Sequence, residues 1–232
     1  MINKNLIKAS IGMKKEIEVL DKSIFWKEFK KASNNILAVS PKNYCKESGC
    51  AFKLNDDNRK VVKTILRYFC GDENFDEYKL VKNKASLSKG LFISGDLGVG
   101  KTKLFEIIKA TGVELYKQYG FKKTLFKNIS CVSFVAAYMV SSQRKHLEFN
   151  LSSFYKNRLV IDDLGVENKA FNSYELLEQL LFERHRYEAL TFITTNISMT
   201  NVLERYGSRI ADRIPQMCNI ITWKGESFRH NI

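Results

Sequence analysis

No apolar run in the 232-residue sequence reaches the roughly eighteen residues a membrane-spanning helix needs, so none is expected and no membrane partner is implied. The first residues, Met-Ile-Asn-Lys-Asn-Leu-Ile-Lys, lack the apolar stretch of a signal peptide, which points to the cytoplasm. Cysteine is scarce and odd in number, with five residues at 45, 50, 70, 131 and 218. Their irregular spacing does not form a disulfide framework and fits free thiols in a reducing compartment. Cys45 and Cys50 make a C-x4-C pair, but the three scattered histidines supply no second pair at zinc-ligand spacing. A metal there stays open, with free thiols expected.

Acidic residues are also in deficit. There are 25 Asp and Glu against 38 Lys and Arg, a net charge of +13. Residues 1–89 carry +8 of this and residues 90–232 carry +5. Such an excess favours a polyanionic partner through phosphate contacts and counterion release. The Lys-Asn-Ile richness also fits the composition bias of a low-GC genome, so charge is supporting evidence only. Hydrophobic content of 44% and charged content of 27% describe a globular chain, long enough for one ordinary domain and a smaller appendage.

The most informative stretch is Gly90-Leu-Phe-Ile-Ser-Gly-Asp-Leu-Gly-Val-Gly-Lys-Thr102. Gly95, Gly100, Lys101 and Thr102 satisfy G-x-x-x-x-G-K-[ST], the phosphate-binding P-loop, within the segment Gly95, Asp96, Leu97, Gly98, Val99, Gly100, Lys101, Thr102. Glycines let successive backbone N–H groups face one concavity at a helix N-terminus. Lys101 then reaches the β- and γ-phosphates of ATP, and the Thr102 hydroxyl ligates Mg²⁺. The flanks fit: Leu91, Phe92 and Ile93 read as a buried strand, and Leu104, Ile107, Ile108 and Thr111 recur at helical spacing.

Upstream, Ile24, Phe25, Phe29 and Ile36, with Leu6, Ile7, Ile17 and Leu20 before them, suit one or two helices. Ser40–Lys53 reads as a connector. Asn55-Asp56-Asp57 then caps a helix striped by Val61, Val62, Ile65, Leu66 and Phe69 that ends near Gly71. Asp72–Lys89 is polar. Residues 1–85 are thus expected to be a helical appendage without catalytic signature.

Downstream, Gly120 closes the P-loop helix, Asn128–Val132 is a candidate strand and Ser133–Gln143 a helix. Leu159-Val-Ile-Asp-Asp-Leu-Gly165 is a short buried strand ending in two carboxylates, the form of a Walker B motif. Asp162 is expected to hold Mg²⁺ with Thr102, and Asp163 to orient the attacking water. Ser173–Glu188 reads as a helix with Leu176, Leu177, Leu180 and Leu181 inward. Leu190–Asn196 is another buried strand whose terminal Asn196 suits a hydrogen-bonding role beside the γ-phosphate. Arg209 and Arg213 stand four apart on the helical stretch Gly207–Ile214, where either could project into a neighbouring subunit's site as an arginine finger or pair with nearby acids. Asn219–Trp223 is the last strand, followed by Gly225-Glu-Ser-Phe-Arg229.

Taken in order, the P-loop, Ile-Asp-Asp-Leu-Gly, Thr-Thr-Asn, Gly-Ser-Arg-x-x-x-Arg and Gly-Glu-Ser-Phe-Arg make the chain resemble the DnaC/DnaI/IstB branch of AAA+ ATPases, over roughly residues 88–232. The resemblance implies an α/β P-loop fold in residues 86–232, with a parallel sheet in the order 5-1-4-3-2 and no helical lid after the last strand. It implies ATP and Mg²⁺ as cofactors and an ATP-dependent homo-oligomer. Arg213, with Arg209 second, becomes the preferred finger, and Arg229 takes a place near the sensor-2 role. Members of the branch either load a replicative helicase onto single-stranded DNA or assemble on duplex DNA as transposition helpers. The apolar helices and connector of residues 1–85 suit a protein partner and favour the loader. A slow-turnover, ATP-switched scaffold on DNA is the reading from another class.

Overall fold

The computed structural model describes residues 19–38, 52–143 and 149–229. Leu6, Ile7, Ile17, the Cys45/Cys50 pair and most of the expected connector lie outside them. Two helices come first, α1 (Lys22–Ala38) and α2 (Asp56–Cys70). The second starts as its sequence requires. The Asn55 side chain accepts from the Asn58 N–H at 2.9 Å while the Asn58 side chain accepts from the Asn55 N–H at 3.0 Å, a reciprocal capping box. It stops at Gly71, whose φ of 81° is the left-handed value that a residue without Cβ adopts freely.

Five parallel strands follow, alternating with helices: β1 (Gly90–Gly95), α3 (Lys101–Tyr119), β2 (Lys127–Ser130), α4 (Cys131–Gln143), β3 (Leu159–Leu164), α5 (Leu176–Arg186), β4 (Thr191–Thr195), α6 (Met199–Met217) and β5 (Cys218–Trp223). They lie in the order β2-β3-β4-β1-β5, which is the expected order read from the other edge. Alternation along each strand divides the core between two faces. Leu91, Ile93, Val160, Phe192, Ile221 and Trp223 pack with α1, α2 and α3. Phe92, Leu159, Ile161 and Ile193 pack with α4, α5 and α6.

Some boundaries differ from expectation. The helix after β2 begins at Cys131, which is fully buried and takes Val132 out of the strand. The helix expected from Ser173 begins at Leu176, because Ala170 and Tyr174 exchange backbone hydrogen bonds of 2.8 and 2.9 Å across a tight turn. The helical stretch expected from Gly207 does start there: α6 is two helices that meet at a kink at Gly207 (φ 80°, ψ 167°). The apolar core also crosses the boundary expected near residue 85. Phe25, Phe29, Val62, Ile65 and Phe69 are buried in the same cluster as Leu91 and Ile221, since α2 buries both Tyr68 and Phe69 toward the sheet and Phe69 meets Phe192 at 5.1 Å.

The polar stretch before β1 is also tied down. Val81 bridges Ile221, Lys82 donates its N–H to the Ile220 carbonyl at 2.9 Å, and the Ile220 N–H donates to Asn83 Oδ1 at 3.0 Å. Asn219 returns the contact from β5, its Nδ2 donating to the carbonyls of Ser86, Lys89 and Gly90.

Candidate nucleotide-binding site

The loop from Gly95 to Gly100 leaves the end of β1 and turns into α3. Gly98 (φ 79°) and Gly100 (φ 103°) hold left-handed backbone there. A Cβ at Gly98 would lie 2.1 Å from Ser227 Oγ, so the position needs glycine for space as well as for φ. Residues 224–229 fold back across the loop. Phe228 N–H donates to the Gly98 carbonyl at 3.1 Å, Gly225 N–H to Asp96 Oδ2 at 3.1 Å, and Asp96 N–H to the Trp223 carbonyl at 3.1 Å. Val99 is buried, whereas Leu97 is exposed.

Beside the loop lies a cleft of about 480 Å³. Its lining includes Leu97, Gly98, Gly100, Lys101, Thr102, Asp163, Asn196 and Arg229, so eight of the expected residues converge on it. Lys101 is nearly buried, and its Nζ donates to the carbonyls of Gly95 and Asp96 at 2.8 Å each and to Asn196 Oδ1 at 2.7 Å. Burial holds its ammonium below the usual lysine range, against the opposing pull of Asp163, Asp96 and Asp162.

The two carboxylates of β3 differ in their surroundings. Asp162 is buried, and its Oδ1 accepts from the hydroxyls of Thr102 at 3.0 Å and Thr194 at 2.6 Å. Burial raises its pKa above the usual carboxylate value; those two hydroxyls counter the rise and Asp163 adds to it. A buried carboxylate disposed to take up positive charge, with a hydroxyl at hydrogen-bond distance, fits a hard oxygen-seeking cation such as Mg²⁺. Asp163 adopts φ 57° at a register shift between Ile161 and Leu164, which brings the residue after Asp162 to the wall of the cleft.

Arg209 and Arg213 do not join this cleft within the chain. They lie in a shallow groove with His185, Ser208, Asp212 and Gln216. There the Arg213 guanidinium sits 4.7 Å from the Phe182 ring centre and donates to the Arg209 carbonyl at 2.9 Å.

Leu37, Phe52 and Lys53 also line the cleft, a contribution from the N-terminal region that no local motif announces. Phe52 would be 3.3 Å from a Cβ at Gly100, so its ring rests directly on the loop. A second missed group braces the turn after β3. Glu167, buried, accepts from the Gly165 N–H at 2.9 Å, from the Tyr206 hydroxyl, and ion-pairs with Arg205 at 3.0 Å. Arg205 further donates to the carbonyls of Gly165 and Glu167. This places α6 in direct contact with the carboxylate-bearing turn.

No protein-family model matches the chain, and no curated protein sequence does. Solved structures match. A DnaC helicase loader aligns with a TM-score of 0.51 and 21% identity, over 85% of this chain and 99% of the loader. The replication initiator DnaA, bound to AMPPCP and single-stranded DNA, aligns with a TM-score of 0.50 and 16% identity, over 81% of this chain and 51% of DnaA. A DnaI structure aligns at 0.49 and 25% identity, over 75% of this chain and 86% of DnaI. The chain therefore shares its α/β fold, a five-stranded parallel sheet with the P-loop at the end of β1, with the DnaC helicase loader and with DnaA.

Proposed function

We propose that this chain is an ATPase of DNA replication that loads a replicative helicase onto single-stranded DNA and assembles with copies of itself when ATP is bound. The observation that carries the reading is the convergence of Lys101, Thr102, Asp163 and Asn196 on one cleft at the C-terminal ends of β1, β3 and β4, with Asp162 buried behind it on the Thr102 hydroxyl. The order of motifs and the fold shared with a DnaC helicase loader support the replication role.

In this reading the backbone N–H groups of the loop and the N-terminus of α3 cradle the phosphates. Lys101 exchanges its bonds to Gly95, Asp96 and Asn196 for phosphate oxygens. Thr102 and Asp162 hold Mg²⁺, which supplies charge neutralisation as phosphate charge develops. Asp163 and Asn196 orient the attacking water, and Arg229 contacts the phosphates from the segment above the loop. Arg213 of a neighbouring subunit, with Arg209 second, completes the site in trans, and residues 1–85 grip the helicase.

The test is steady-state ATP hydrolysis together with light scattering, with no DNA, with single-stranded DNA and with duplex. Stimulation and assembly on single strands, followed by capture of a replicative helicase, are expected. Preference for duplex would assign the transposition-helper role instead, and absence of ATP binding would overturn the site itself.

A further inference from the structure

At the opposite end of the sheet, where β2, β3 and β4 begin, lies a second cleft of about 370 Å³ lined by Lys109, Val113, Thr124, Leu125, Phe126, Lys127, Asn157 and Arg158. Its lining holds three cationic side chains and no acid. Lys109, Lys127, Lys156 and Arg158 make no ion pair among the described residues. Arg158 gives Nη1 to the Lys122 carbonyl at 3.0 Å, while its buried Nε has no partner.

These cations alternate with aromatic rings. Lys127 Nζ lies 5.1 Å from the Phe154 ring centre, and Lys156 Nζ lies 4.8 Å from that of Tyr187. Arg186 covers Tyr187 at 5.0 Å, and Tyr155 stacks on it at 6.2 Å with planes 20° apart. Tyr187 and the side chains of Lys109, Lys127 and Lys156 are exposed. The neighbouring acids are Glu183, which pairs with Arg186 at 3.1 Å, and exposed Glu188. The band therefore keeps a net positive charge.

A buried cation fixes this band in place. Arg184 is fully buried and makes no ion pair among the described residues. It donates to the carbonyls of Phe154, of Asn157 at 2.9 Å and of Leu190 at 2.7 Å, and to the Thr191 hydroxyl at 2.9 Å. Burial lowers its pKa to about 10. The segment 154–158 is thus clamped to the start of β4, and the rings and cations it carries are held ready.

We infer that this edge, from Lys109 through Lys127 and Arg158 to Lys156 and Tyr187, is a binding surface for single-stranded nucleic acid. Phosphates match the unpaired cations, and unstacked bases match the exposed Tyr187 ring and the exposed Arg186 guanidinium over it, the combination that single-strand binders use. Duplex DNA, whose bases are already stacked, uses only the cations. The surface lies at the far ends of the strands from the nucleotide cleft; β3, with its six residues, separates the two by roughly 17 Å. The inference rests on the proposed DNA-binding role but not on the assignment of the nucleotide site.

The experiment is fluorescence anisotropy with fluorescein-labelled oligothymidine over a range of salt, alongside binding of a fluorescent ATP analogue. Replacing Lys127 and Lys156 together by alanine should weaken binding several-fold and flatten the log–log salt slope by about 1.4, the loss of two phosphate contacts. Lys60→Ala with Lys63→Ala, an equal charge loss on exposed α2 positions, should leave affinity near wild type. Tyr187→Ala should weaken binding about tenfold with the salt slope unchanged. ATP-analogue binding and thermal unfolding should be unaltered in the Lys127/Lys156 variant. Wild-type affinity in that variant, or equal weakening in the α2 control, overturns the surface while the loader reading stands. Preference of the wild type for duplex or phosphatidylserine vesicles overturns the single-strand assignment. No binding by the wild type overturns both.

Discussion

The Thr102 hydroxyl and the Asp162 carboxylate meet at 3.0 Å, joining the first turn of α3 to the end of β3. Nothing cationic is hydrogen-bonded to Asp162, whose other partner is Thr194. Its folded pKa lies above the unfolded value. The folded state therefore holds the proton to higher pH, and stability falls as pH rises through that window. At neutral pH the charge is a cost that a bound cation would relieve.

Asp162→Asn should accordingly raise the melting temperature of the nucleotide-free protein, by about 3 °C, while hydrolysis is lost. Asparagine keeps an oxygen to accept from both hydroxyls. Scanning calorimetry without and with Mg²⁺ and ATP checks this, since the ligand should stabilise the wild type more than the variant.

Lys101→Ala should abolish nucleotide binding, and tight retained binding would remove the P-loop assignment. Asp163→Asn should keep binding and slow hydrolysis by about 10²-fold or more. Asparagine tolerates the φ of 57° that Asp163 adopts, so the fold should persist; a β-branched residue there should destabilise it.

Arg213→Ala should lose hydrolysis and ATP-dependent assembly yet keep nucleotide binding by the single chain. Mixing it with Lys101→Ala protein should restore some hydrolysis, because each supplies the half-site that the other lacks. Normal hydrolysis by Arg213→Ala alone would move the trans-acting role elsewhere.

Burial alone would raise the pKa of Asp72, but hydrogen bonds from Lys22, from Arg67 and from the Asn74 N–H outweigh it and hold the carboxyl at about 2, below its ordinary 3.8. A depressed carboxyl contributes stability that is present above the unfolded value and lost as pH falls through the folded one. Asp72→Asn should lower stability at neutral pH and flatten the acid limb of a melting curve between those two values. The ion pairs involved are Lys22–Asp72 at 2.8 Å and Arg67–Asp72 at 2.6 Å, so the variant should loosen α1 from α2 first. Hydrogen exchange in α1 reads this directly.

What the sequence made legible was what depends on near neighbours. Asn55 and Gly71 announce the ends of α2, and the P-loop and the double Asp announce the ends of β1 and β3, because turn, cap and strand chemistry act over a few residues. Phe52 and Leu37 on the cleft were not legible, since an apolar residue far upstream gives no sign of the loop that it will touch. Locally, Asn83 lies in a polar stretch and Asn219 opens the last strand, and neither position announces a partner. Their amides instead match backbone groups more than a hundred residues away, a pairing that appears only once β5 lies beside β1. Arg213 was legible as a candidate, but within the chain it meets the Phe182 ring and the Arg209 carbonyl and stands apart from the cleft.

The segment from Val81 to Ser86 also closes one border of the sheet. Its backbone and amide groups occupy the outward N–H and carbonyl of Ile220, where an incoming strand would otherwise add. The opposite border, β2, offers only four residues with polar, exposed faces. For the assembly of copies proposed above, borders that refuse strand-to-strand growth are an advantage, because cross-β joints accumulate and do not readily come apart. In that assembly the contacts between copies fall to helices and loops, where a bound nucleotide can both make and release them.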